Sequence, residues 1–176
     1  MKDAVTRQAV MNENATHLRK VCGAAGISDA RNEVAASFLD GTKAEWLWMV
    51  DTDMGFDPDT VSMLLDSAHK TDRPIMGALC FAFRKVETGP LYADRYGIIP
   101  TIYKYVELEN EVGFAPVSSY PKDEVIEVSA TGAACLLIHR YALDTIRRKY
   151  GDTWFDQVGH PNGNGPGKRR MFSEDL

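Results

Sequence analysis

The chain switches between two kinds of hydrophobic spacing, and the switches predict its elements. From Ser28 to Asp40 apolar residues recur at helical intervals, with Ile27, Ala30, Val34 and Phe38 on one face. Ser28 can cap the start of that helix and Gly41 can stop its end. The run EWLWMV (45–50) is apolar almost throughout, as a strand covered on both faces must be. It ends abruptly in DTDMGFDPD. Asp57 and Pro58 then open a second helix, whose Val61, Leu64, Leu65 and Ala68 form a core stripe until Asp72-Arg73-Pro74 breaks it. PIMGALCFAF (74–83) reads as another buried strand, followed by a long polar and aromatic connection. TIYKYVEL (101–108), VIEVSA (125–130) and ACLLIH (134–139) read as strands, the last leading into a helix over 140–150. A short strand, THLRKVC (16–22), precedes the first helix, and GHPNGNGPGKRR (159–170) has the glycine and proline content of a flexible loop.

Helix and strand alternate in the first half and strands cluster in the second, which predicts an α/β sandwich with a mixed sheet. A length of 176 residues with 44% hydrophobic content suits one domain. The net charge of −5 argues against a nucleic-acid binder that works by neutralising phosphates, since that mode needs a basic face. Any anionic ligand must then be met locally, by a metal ion, by backbone N–H groups or by a few basic side chains. Cys22, Cys80 and Cys135 each lie in an apolar stretch without C-x-x-C spacing, so they read as reduced core residues of a cytoplasmic protein. No apolar run reaches the roughly 18–20 residues of a membrane span, and MKDAVTRQAV lacks a signal-peptide core. No transmembrane segment is predicted, and any membrane contact is peripheral.

The chemistry concentrates at Asp51-Thr52-Asp53. Two carboxylates stand at the carboxyl end of a buried strand, where ligand crevices form in α/β sheets. Residues two apart in a strand point to one side, so both can reach a single Mg²⁺ or Mn²⁺, ions that favour oxygen donors. Such a cation neutralises a diphosphate that an acidic protein cannot otherwise hold. The bland alternative is a solvated turn before a capped helix.

Four segments in order, Ala30-Arg31-Asn32, WLWMVDTDM, SATGAACLLIHR (129–140) and the terminal SEDL (173–176), resemble the glycosyltransferases of GT-A fold, particularly family 2. The resemblance implies a Rossmann-like α/β/α sandwich with a central mixed, mostly parallel sheet, forming a single domain over 1–176. It implies a nucleotide-diphosphate sugar donor, a UDP- or GDP-sugar, held with Mn²⁺ or Mg²⁺, and a glycan, protein or lipid acceptor. Asp53 falls on the metal and Asp51 on the metal or the ribose. Arg31 and Asn32 match positions lining the nucleotide side, their alternatives being a surface arginine and an asparagine inside a helix. Gly132 matches a glycine that lets the backbone approach the sugar or acceptor, with an ordinary turn between strands as its alternative. Glu174 and Asp175 match the acidic pair from which an inverting member draws its base. Against the family pattern, the chain starts beyond the first nucleotide-binding strand, so MKDAVTRQAVMNENA reads as the helix that follows it, and SEDL stands where the family continues. The expectation is a domain incomplete at both ends, and a homo-oligomer is compatible with it.

His17, His69 and His139 have no partners at ligand spacing and read as structural; His160 reads as a surface histidine of the loop, with approach to the diphosphate or metal as its alternative, and Lys168-Arg169-Arg170 as a solvated basic run, with attraction of phosphate as its alternative. Trp46 and Trp48 read as core, and Trp154 and Phe155 as the better candidates to stack on a sugar or acceptor. Two other functions compete. One is a nucleotide-sugar-binding module of the same fold without turnover. The other is a phosphatase resembling the haloacid dehalogenases, in which a D-x-D at a strand end supplies an aspartyl nucleophile and a Mg²⁺ site, although Gly55 stands where that motif carries Thr or Val.

Overall fold

Helix α1 spans Ile27–Gly41 and buries Ala35, Phe38 and Leu39; of the face that the apolar spacing marks, Phe38 is buried, Val34 packs against the core and Ile27 is exposed. In the computed structural model, which describes residues 26–86, 95–108 and 111–156, strand β1 (Trp46–Val50) and helix α2 (Thr60–Ser67) follow. Strands β2 (Ile75–Gly77), β3 (Phe81–Val86), β4 (Arg95–Pro100), β5 (Ile102–Leu108), β6 (Glu111–Pro116), β7 (Ala130–Thr131) and β8 (Cys135–His139) come next, and helix α3 (Arg140–Tyr150) closes the order. The strand and N-terminal helix expected before residue 26 lie outside the described residues, as do the loop at 159–170, Cys22, His17 and His160.

The central layer is a three-stranded sheet in the order β1-β8-β2. Leu137 sits at its middle, opposite Trp48 on one side and Met76 on the other. All five residues of β8 are buried, which its uninterrupted CLLIH requires. Alternation along β8 divides the core. Leu136 and Ile138 pack with α1, α3 and Trp154, whereas Cys135 and Leu137 pack with Leu64 of α2 and with Trp46, Trp48 and Met76. Helices thus cover both faces. Fully burying Leu137, Ile138 or Leu143 contributes about 1.5–3 kcal/mol each.

Every strand pairing among the described residues is antiparallel, which corrects the expectation of a mostly parallel sheet. The cause is the late arrival of β8. Strands β1 and β2 run in the same direction through the α2 crossover, but β8 lies reversed between them and takes both ladders. The apolar run at 74–83 also divides in two. Ala78 N–H still bonds Cys135 O at 3.1 Å, but Cys80 O accepts from both Thr101 N–H (2.9 Å) and Thr101 Oγ1 (3.0 Å), so the chain passes from the central sheet into a β3–β4 hairpin. The strand expected at 125–130 shortens to Ala130–Thr131, which pairs with β5 in a second three-stranded sheet, β6-β5-β7.

Two arginines fasten the helices. Arg140 donates to the carbonyls of Phe38, Leu39, Thr42 and Ala44 at 2.8–3.1 Å and stacks on Phe38, closing the exposed carbonyl end of α1. Arg147 joins Asp40 to Asp152 at 2.6 Å each, and Asp40's hydrogen bond from Arg147 holds its carboxyl below the usual carboxylate range.

Candidate functional site

The last paired residue of β1 is Val50, opposite Cys135, and Asp51 N–H continues the ladder to Ala134 O at 2.9 Å. The chain then turns. Met54 N–H bonds Asp51 O at 3.2 Å, closing a four-residue turn over Asp51–Met54. The strand alternation that was to align Asp51 with Asp53 therefore stops before it reaches Asp53. Asp51 is half-buried against the sheet, whereas Asp53 is exposed and has no hydrogen bond or ion pair among the described residues.

Arg31 reaches Asp51 from α1. Its Nη2 donates to Oδ1 at 2.9 Å, to Oδ2 at 3.1 Å and to Ala133 O at 3.3 Å. The two side chains are 18% and 38% exposed, so water still screens the pair and its net worth is about 1 kcal/mol. Both oxygens of Asp51 are engaged, which leaves Asp53 as the open carboxylate. The charge of Asp51 is felt next door: burial pushes the thiols of Cys80 and Cys135 up, and Asp51 adds to the rise. Both cysteines are free and buried, Cys135 accepting from Trp48 Nε1 at 3.4 Å.

Other residues named from the sequence hold the frame of this site. Asn32 Nδ2 donates to Asp156 Oδ1 at 2.6 Å and Asn32 Oδ1 accepts from Phe155 N–H at 2.9 Å, so Asn32 ties α1 to the segment after α3. Trp154 is buried, with Nε1 donating to Leu143 O at 2.9 Å, which removes its ring from the surface and corrects its reading as a stacking platform. Phe155 stays beside the site, its ring centre 5.9 Å from the Arg31 guanidinium carbon. At Gly132 an added Cβ meets Thr101 Oγ1 at 2.6 Å and Thr101 Cβ at 2.9 Å, while Gly132 N–H bonds Thr101 O at 2.7 Å. The missing Cβ is thus required by protein packing. His139 accepts from Tyr141 N–H at the start of α3 and sits edge-on to Trp46, and His69 Nδ1 accepts within its own turn. Both are structural, as their spacing indicates. Glu174 and Asp175 lie outside the described residues.

The donor set limits the metal chemistry. No group of three or more His, Cys, Asp and Glu side chains suited to a metal occurs among the described residues. Two carboxylates alone suit the binding mode of Mg²⁺ and Mn²⁺, in which one or two protein oxygens are completed by water and by phosphate oxygens of a substrate. Among the described residues Asp53 is the open carboxylate and Asp51 is engaged by Arg31, so the two form no all-protein cage for a cation. The signals that the sequence did not reveal are the hold of Arg31 on Asp51, across twenty positions, and the role of Thr101 opposite Gly132. No helix among the described residues is long and apolar enough to cross a membrane. Comparison with protein-family models, with curated proteins and with solved structures finds no match.

Proposed function

We propose that this chain is a metal-dependent glycosyltransferase of GT-A type that holds a nucleotide-diphosphate sugar at Asp51 and Asp53 and passes the sugar to an acceptor hydroxyl with inversion. What supports the reading is one arrangement: an open carboxylate, Asp53, beside a carboxylate–guanidinium pair, Asp51 and Arg31, at the end of a buried strand. Such a site offers negative charge to a cation and positive charge to a diphosphate at one strand end. Asp53, and Asp51 once released, would hold Mn²⁺ or Mg²⁺, which supplies charge neutralisation to the departing diphosphate. Arg31 shifts its hydrogen bonds from Asp51 toward the phosphate oxygens. The common direction of β1 and β2 and the helices on both faces of the central sheet support an α/β layered fold, although every described pairing is antiparallel.

In the reaction, the acceptor oxygen forms the new bond to the anomeric carbon as the bond from that carbon to the diphosphate oxygen breaks. The electron pair leaves with the diphosphate. The acceptor proton passes to a carboxylate, assigned to Asp175 with Glu174 beside it, because a sugar hydroxyl is a poor nucleophile until a base accepts its proton. The discriminating assay incubates the protein with UDP- and GDP-sugars and Mn²⁺ and separates the products. Free nucleoside diphosphate with a new glycoside supports the transferase. Binding without sugar loss indicates a module without turnover, and phosphate trapped covalently on Asp51 indicates the phosphatase.

A further inference from the structure

The segment that follows α3 is pinned residue by residue. Trp154 is buried in the core, with its Nε1 donating to Leu143 O at 2.9 Å. Phe155 N–H donates to Asn32 Oδ1 at 2.9 Å, and Asp156 Oδ1 accepts from Asn32 Nδ2 at 2.6 Å. A single amide on α1 thus uses both of its ends to fix two successive residues. Between these anchors the half-buried ring of Phe155 packs against the core. Arg31 immediately precedes Asn32, and its guanidinium carbon lies 5.9 Å from the centre of that ring. A cation is attracted to the negative face of an aromatic within about 6 Å.

Asp51, Ala133 and Phe155 together hold the Arg31 side chain, which is only 18% exposed. These supports differ in kind. The bonds from Nη2 to Asp51, at 2.9 and 3.1 Å, are directional and are lost when Nη2 turns elsewhere. Attraction to a ring face is broad, so it survives a small slide or rotation of the guanidinium. A leucine at 155 packs against the same core but offers a cation no quadrupole. The bond from Phe155 N–H to Asn32 is a backbone bond, so the ring can be replaced without unfastening the segment.

We infer that Phe155 is the positioning residue of Arg31, its ring holding the guanidinium at the strand end while Nη2 passes from Asp51 to an incoming phosphate oxygen. Asn32 places the ring. The inference deepens the transferase reading and rests on it only in naming a nucleoside diphosphate as the anion.

The first arm of the test needs no ligand. Nitrogen NMR of the full chain separates the two Nη groups of an arginine when rotation about its Nε–Cζ bond is slow, and Arg31→Lys identifies the signals. Two separate signals are expected for Arg31 in the wild type. Phe155→Leu should speed their exchange about fivefold or merge them, while Phe155→Tyr, which keeps the ring, stays within about twofold. Phe155→Met, apolar and ringless, repeats the comparison with a second shape. Signals already merged in the wild type, exchange unchanged in both ringless variants, or a Phe155→Tyr as fast as Phe155→Leu overturns the inference. The second arm titrates UDP and GDP in Mn²⁺ by calorimetry. Phe155→Leu is expected to weaken binding about fivefold, Phe155→Tyr to restore it, and Phe155→Leu to change nothing further in an Arg31→Ala chain. Full affinity in Phe155→Leu, or a further loss in the Arg31→Ala background, overturns the inference, because the ring then does not act through Arg31. A wild type that binds neither nucleotide falls on the transferase reading, and the first arm then decides whether the ring positions Arg31.

Discussion

Gly132→Ala separates a structural glycine from a ligand-facing one. The new Cβ falls 2.6 Å from Thr101 Oγ1 and 2.9 Å from Thr101 Cβ. Rotating the hydroxyl away relieves only the first contact and gives up its 3.0 Å bond to Cys80 O. The second contact is with an atom fixed to the backbone, and the 2.7 Å bond from Gly132 N–H to Thr101 O holds the two chains at that spacing. The segments must therefore part, at the usual overpacking cost of about 1–3 kcal/mol. For a domain of this size that lowers the melting temperature by roughly 2–12 °C. Urea unfolding of the single variant, of Thr101→Gly and of the double variant forms a cycle in which Thr101→Gly recovers most of the loss. A Gly132→Ala protein of unchanged stability that loses nucleotide-sugar binding would refute this reasoning and restore the expectation that Gly132 faces the ligand.

Arg140→Ala removes the guanidinium donor from the carbonyls of Phe38 and Leu39 in α1 and of Thr42 and Ala44 just after it, and is expected to cost about 2–4 kcal/mol in chemical denaturation, with Arg140→Lys recovering only part because an ammonium lacks the fork. Burial holds His139 below its ordinary value, and its Nδ1 accepts from Tyr141 N–H, so it folds neutral. The unfolded chain takes up that proton first as pH falls below about 6.5, so stability declines in this window until the lowered folded value is reached; His139→Asn, which keeps a capping acceptor, should flatten the decline in pH-dependent urea melts. Asp40 acts at lower pH, its stabilisation being present above the usual carboxylate value and lost as pH falls through its depressed folded value; Asp40→Asn should remove that second decline. Arg31→Ala frees Asp51, so Mn²⁺ alone should bind about fivefold more tightly while nucleoside diphosphate with Mn²⁺ binds more weakly, and parallel changes in the two titrations contradict the exchange of partners proposed for Arg31.

The elements legible in the sequence are those whose signal is local. The stripe of Val34 and Phe38 gives α1, and the unbroken WLWMV and CLLIH give two strands of the central sheet because both faces of each are covered. What escaped depends on pairing at a distance. An apolar run cannot say that Cys80 turns its carbonyl to Thr101, so residues 74–83 look like one strand and prove to be two. The hairpin eludes a pattern reading because its large apolar residues face outward and its second strand, RYGIIP, carries glycine and proline. At the site, Asp51, Asp53 and Arg31 are visible as residue types, but the turn that ends alternation at Asp51 and the contact across twenty positions are tertiary facts. Asn32 and Trp154 show the same limit: a polar residue in a helix and an aromatic before a loop look available, until Phe155, Asp156 and Leu143 take up their hydrogen bonds.

The most direct measurement is calorimetric titration of UDP and GDP into the wild-type chain and into Asp53→Ala, each in Mn²⁺ and in chelator. The proposed function predicts that the wild type binds one of the two nucleotides at least tenfold more tightly with Mn²⁺, since a cation joins the open carboxylate to the diphosphate. Asp53→Ala should lose both that dependence and most of the affinity. Equal, tight binding in chelator and in Mn²⁺, or an Asp53→Ala variant that keeps the full metal effect, contradicts a cation-bridged diphosphate at this site.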